Sequence, residues 1–223
     1  MGARQGTPVR INVGCGATPT KGWLNFDNSW TVYSARWRLL RPLAKLSLSG
    51  PSRMFFESVV QNDVRWARAQ SLPCASASAE VVYTSHMLEH LARTDAIAFL
   101  KEVLRVLVPG GVVRIVVPDL ERALETYEAD GDADKFMAGT LLGQETQPRG
   151  MQRMLAVPVL MGPRHHQWMY DAASLSRLLL QVGFVEAASV PAGTTRIVSP
   201  GGLDLFERDE ESIYVEAVRP LGL

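Results

Sequence analysis

Short β-branched runs alternate along the chain with longer stretches whose apolar residues recur every three or four positions. Residues 9–13 form such a run and stop on Gly14-Cys15-Gly16, so a strand ends on a glycine turn. Residues 23–26 read as a second strand ending at Asp27, residues 58–61 as a third running into Asn62-Asp63, and residues 80–84 as a fourth. Over 88–107, Leu88, Leu91, Ile97, Leu100, Leu104 and Leu107 keep helical spacing, and Pro109-Gly110-Gly111 closes that helix. The run 112–117 (VVRIVV) hardly alternates, as expected of a strand covered on both faces.

Helices are expected over 119–129, 133–142 and 171–182, the last with Gly183 as its cap and Asp171 fitting an N-cap. Strands follow at 185–190 and 212–219 with no helix between them, which makes an antiparallel pair at one edge. The pattern is α/β: a doubly wound, mostly parallel seven-stranded sheet of Rossmann-like type with an antiparallel edge strand, read as one domain over 1–223. Two irregular insertions, 28–57 and 143–170, are long enough to act as lids over a substrate. Residues 36–48 of the first carry Arg36, Arg38, Arg41 and Lys45 among Trp37, Leu39, Leu40 and Leu43. That pattern suits a solvated helix face, or a lid.

Charge narrows the partners. Lys and Arg number 23 against 23 Asp and Glu, without the basic excess of a nucleic-acid binder. No apolar stretch reaches the ~18–20 residues of a membrane span. Two cysteines, Cys15 and Cys74, exclude a disulfide scaffold and suit a reducing compartment, so a cytoplasmic protein without integral membrane association is expected.

Candidate chemistry gathers at the predicted strand ends, where an open α/β sheet binds ligands. The glycine turn lets backbone N–H groups approach a ligand. Asp27 can accept from ribose hydroxyls, and the Asp63 carboxylate from an adenine amino group, although each alone also fits a turn cap. The series G-C-G, G-W-L-N-F-D (22–27), N-D-V (62–64), L-P (72–73), E-V-V-Y-T-S-H-M-L-E-H-L (80–91) and E-V-L-R-V-L-V-P-G-G-V-V-R-I-V-V-P-D (102–119) resembles the class I S-adenosylmethionine-dependent methyltransferases. The closest likeness is to bacterial methyltransferase-domain proteins of polysaccharide or secondary-metabolite pathways. It extends to H-H-Q-W-M-Y-D (165–171) and S-I-Y-V-E-A.

The resemblance implies S-adenosyl-L-methionine as cofactor. Asn12, Gly14, Cys15 and Gly16 would lie under its methionine and ribose, Asp27 would hold the ribose, and Asp63 with Val64 the adenine. Ser85, His86 and Met87 would sit beside the sulfonium. Only nine residues (14–22) separate the first two strands, so the first helix is one turn or degenerate.

The expected reaction is O- or N-methylation of a small molecule, a sugar or secondary metabolite. His86, His165 and His166 are candidates for proton transfer to or from the acceptor. Tyr170 is a further candidate, although it fits the core equally well; His90 reads as structural. H-M-L-E-H (86–90) also matches a zinc pattern, but its place in the methyltransferase order argues against a metal. Other uses of the sulfonium, or a non-catalytic binding protein on this fold, are the alternatives. A nicotinamide site is disfavoured because residues 11–16 lack the third glycine of G-x-G-x-x-G.

Overall fold

A computed structural model describes residues 9–37, 41–42, 50–143 and 165–222. Seven strands form one sheet: β1 (Val9–Val13), β2 (Leu24–Asp27), β3 (Arg65–Trp66), β4 (Ala79–Ser85), β5 (Leu107–Pro118), β6 (Val185–Val190) and β7 (Ser212–Val218). Their order is β3-β2-β1-β4-β5-β7-β6. All neighbours are parallel except β5–β7 and β6–β7, so the one antiparallel strand lies just inside the edge. The strand order reverses between β1 and β4, which opens a crevice at their carboxyl ends.

The described helices are α1 (Trp30–Ala35), α2 (Gly50–Gln61), α3 (Arg93–Val106), α4 (Leu120–Asp130), α5 (Ala133–Gly139) and α6 (Ala172–Val182). Helix α3 buries Ala96, Phe99, Leu100, Val103 and Val106, one stripe at helical spacing. The stripe meets Val82 of β4, Val113, Ile115 and Val117 of β5, and Leu175, Leu178 and Leu179 of α6 in the largest core. Each large apolar side chain buried there contributes about 1.5–3 kcal/mol. Asp171 caps α6 by accepting from Ser174 N at 2.6 Å, and Gly183 ends it at φ 118°. Both were legible as caps.

On the opposite sheet face irregular chain supplies part of the packing. Val81, Tyr83, Val116 and Tyr214 pack there with Ile197 and Leu203, which lie on irregular chain between β6 and β7.

Three sequence expectations are corrected. Residues 58–61 end helix α2 and are not a strand; Phe56 and Val59 face a small core with Val32, and the third strand is the two-residue β3. Gly50-Pro51, expected from the sequence to stop a helix over 36–48, lies instead in the first turn of α2, where a proline forfeits no hydrogen bond. The continuous helix expected over 88–107 is broken: a 3₁₀ turn spans Leu88–His90, Leu91 is extended, and α3 begins at Arg93.

No helix forms between β1 and β2, as their short separation required. Arg38, Leu39, Leu40, Leu43 and Lys45 of the basic segment lie outside the described residues, as does most of 143–170. Among the described residues no helix is long and apolar enough to cross a membrane.

Candidate active site

A cavity of about 530 Å³ opens at the carboxyl ends of β1, β2 and β4. Gly14 and Gly16 border it after β1, Asp27, Asn28 and Ser29 after β2, and His86, Met87, His90 and Leu91 after β4. Ala67, Ala69 and Gln70 after β3, and Leu141 after α5, complete the wall.

The glycine turn has a steric reason. Gly14 sits at φ 70°, and a Cβ there would come within 2.4 Å of Met87 Cγ. At Gly16, φ 48°, a Cβ would meet nothing within 4 Å, so its cost would be backbone strain alone. The Asp27 carboxylate holds the turn. Its Oδ2 accepts from Gly16 N at 3.1 Å and its Oδ1 from Ser29 N at 2.7 Å. Each oxygen keeps a further acceptor position at the cavity wall.

Other expected cofactor residues lie elsewhere. Asn12 is buried and donates to Thr20 Oγ1 at 3.0 Å, tying down the β1–β2 connection instead of lining the cavity. Cys15 turns its side chain into the small core with Val32, Phe56, Val59 and Val64. Asp63 sits in the turn after α2, exposed, where Arg65 Nη2 donates to it at 2.9 Å. Val64 is buried in that same small core. Asp63 and Val64 therefore do not reach the cavity, which receives Ala67, Ala69 and Gln70 instead. Ser85 ends β4 and is not on the wall.

Burial, with the Asp27 carboxylate adding to it, pushes the Cys15 thiol up to about 12. At pH 8 its thiolate is then roughly a thousandfold scarcer than that of an ordinary cysteine. Iodoacetamide should label half-buried Cys74 in the folded protein and reach Cys15 only on unfolding, as read by peptide mass spectrometry. Equal labelling rates would contradict the packing of Cys15.

The proton-transfer candidates divide. Tyr170 is fully buried among α3 and α6 residues and is part of the core, not the cavity wall. His86 leaves β4 at φ 47°, a strained conformation for a non-glycine residue and one concentrated at functional sites. Its Nε2 lies 2.9 Å from Ser212 Oγ and its Nδ1 3.4 Å from Glu89 Oε1.

His166 is buried beside Glu89 and His90, its ring centroid 4.9 Å from that of His90. Burial lowers the His166 pKa and favours the neutral imidazole. The backbone oxygen of His165 lies 3.3 Å from His90 Nδ1, and its ring contacts Gln167. His90, read as structural, therefore stands on the cavity wall; the chain break at Leu91 puts it there.

A family model described as a methyltransferase domain matches residues 11–115. No curated protein matches the chain. A solved SAM-dependent methyltransferase from Methanosarcina mazei is 17% identical, with 97% of this chain and 94% of that one covered at a TM-score of 0.51. Phosphoethanolamine N-methyltransferase 2 of Haemonchus contortus, solved with S-adenosyl-L-methionine, is 12% identical over 98% of this chain and 50% of that one, with a TM-score of 0.47. The CurJ carbon methyltransferase is 12% identical over 96% and 49%, with a TM-score of 0.48. The chain thus spans about half the length of the last two. Residues 11–115 therefore match a methyltransferase domain, and the sheet as a whole shares its fold with an S-adenosylmethionine-dependent methyltransferase of known structure.

Proposed function

We propose that the chain methylates an oxygen or nitrogen atom of a small molecule, a sugar or secondary metabolite. The observation that supports this most directly is the set of imidazoles and the buried carboxylate beside the cofactor cavity: His86, Glu89, His90 and His166. An oxygen or nitrogen acceptor carries a proton that must leave, and imidazole titrates near neutrality.

The residues present fit S-adenosylmethionine. Asp27 offers open acceptor positions to a ribose diol, Gly14 and Gly16 give a backbone floor, and Ala67, Ala69 and Gln70 form a wall suited to a flat adenine ring. Bound there, the cofactor supplies an activated methyl group on its sulfonium sulfur. The protein's part is mainly placement. Met87, wedged against Gly14, shapes the wall at the turn, while the imidazole cluster receives the acceptor and its proton. We assign acceptor selection to the two insertions, 28–57 and 143–170. Their described parts Asn28 and Ser29 line the cavity, and His166 N donates to Leu141 O of the wall at 3.0 Å.

The test is incubation with methyl-labelled S-adenosylmethionine and a panel of sugars, phenols and amines, followed by product NMR. The expected outcome is acceptor-dependent S-adenosylhomocysteine with the label on oxygen or nitrogen. A label on carbon would refute the acceptor class. Methylthioadenosine, or turnover without S-adenosylhomocysteine, would refute methylation itself.

A further inference from the structure

Glu89, His90 and His166 each bring one ligand atom into a group whose members all lie within 4.8 Å of one another. Glu89 and His166 are buried, and His90 borders the cavity. The carboxylate is the telling member. Glu89 is fully buried, yet neither of its oxygens has a hydrogen-bond partner. Its close basic neighbours are imidazoles, His86 Nδ1 at 3.4 Å and His166 Nε2 at 3.9 Å, the latter well beyond hydrogen-bond reach. A buried carboxylate left in that state is costly, and its neighbours His86 and His90 border the cavity. His90 is also oriented as metal-bound histidines are: Nδ1 lies 3.3 Å from the His165 carbonyl oxygen, which fixes the ring and reserves Nε2 for a ligand.

We infer that Glu89, His90 and His166 form a binding site for a divalent transition-metal ion beside the cofactor cavity. Two imidazoles and one carboxylate suit zinc, manganese, iron or cobalt better than magnesium or calcium. Three protein ligands leave the ion open to an exogenous oxygen donor, as in catalytic metal sites. His86, whose Nε2 lies 2.9 Å from Ser212 Oγ, stands with its Nδ1 3.4 Å from Glu89 Oε1. The ligand class this site selects is an acceptor presenting oxygen to the metal, because the ion stands on the wall that the acceptor must approach. This last step rests on the proposed methyl transfer; the metal site does not.

The experiment uses the untagged full chain, stripped with a chelator and titrated with Co²⁺ and Zn²⁺, without cofactor or acceptor. The expected result is one ion per chain, with visible cobalt absorption of nitrogen and oxygen ligation and a raised thermal midpoint. His90→Ala and His166→Ala should each weaken binding by about a hundredfold or more, since losing even an outer partner costs about 10–100-fold. Near-UV circular dichroism verifies that these variants fold, and Glu89→Gln is the isosteric third variant. A wild-type chain that binds neither ion overturns the proposal, as does binding unchanged in both histidine variants. If metal binds but the stripped enzyme still forms S-adenosylhomocysteine at full rate, the acceptor role falls, whereas the metal site and methyl transfer stand.

Discussion

Replacing Asp27 with asparagine is expected to lower the affinity for S-adenosylhomocysteine by about a hundredfold. The carboxylate works in two directions. Inward, its oxygens accept from Gly16 N and Ser29 N and hold the glycine turn against the start of α1. Outward, the remaining lone pairs stand on the cavity wall, where ribose hydroxyls would donate to them. A hydrogen bond to a charged group contributes about 1.5–3 kcal/mol, so losing one or two of them corresponds to roughly tenfold to twenty-thousandfold. Asparagine deepens the loss, because its amide group can present a donor to one of the backbone N–H groups. Asp63→Asn is the control. That carboxylate is exposed and paired with Arg65 away from the cavity, so its removal should alter affinity by no more than about twofold. Calorimetric titration of both variants decides. A large loss in Asp63→Asn with none in Asp27→Asn would restore the sequence-level placement of the adenine and undo the site described above.

The fate of Asp63 shows where sequence patterns run out. Strands β1, β4 and β5 carry β-branched runs, so the positions of Gly14 after β1 and His86 after β4 were legible, as was Asp27 at the end of the short β2. Strand β3 has two residues and no apolar run, whereas Val59-Val60 nearby imitates a strand from within a helix. That displacement put the expected adenine contact at Asp63 and Val64, whereas Ala67, Ala69 and Gln70 are the residues of this region on the cavity wall. Small residues such as Ala67 and Ala69 carry no chemical signature, so nothing in the sequence marks them.

The cluster at Glu89 was hidden for a related reason. Leucine spacing reads straight through 88–107, and the backbone break at Leu91–Ala92 that frees His90 is set by tertiary contacts. Gln167 N and Trp168 N both donate to Glu89 O, from a segment distant in sequence. Tyr170 illustrates the reverse. It follows His165, His166, Gln167 and Trp168 closely in the sequence, but its environment is the core built by α3 and α6.

The largest effect on stability is expected at Glu216, where the sheet buries a charge pair that no local pattern announces. Arg114 of β5 and Glu216 of β7 are register partners, both fully buried, with Nη1 donating to Oε1 at 2.8 Å. The guanidinium also donates to Thr194 O at 2.9 Å and lies 4.8 Å from the Tyr214 ring centroid. The carboxylate accepts from Thr195 Oγ1 at 2.5 Å and Arg196 N at 2.9 Å. The pair therefore fastens the irregular chain after β6 onto its sheet face. Glu216→Gln keeps the shape but strands the Arg114 charge in the interior, at a cost of about 3–5 kcal/mol. For a domain of this size that lowers the thermal midpoint by roughly 6–20 °C.

Removing both charges separates the two contributions. Arg114→Met with Glu216→Gln leaves no buried ion, and the amide can still accept from Arg196 N. The double variant should therefore be more stable than Glu216→Gln alone by about 2 kcal/mol or more, despite one additional substitution. Denaturant unfolding of the two singles and the double measures this coupling. If Glu216→Gln unfolds within about 1 kcal/mol of the parent, the charge is not isolated by the fold, and the irregular segment must admit water to Arg114. Amide exchange at Arg196 would then be fast in the parent as well, whereas a dry pair keeps it among the slower amides of the chain.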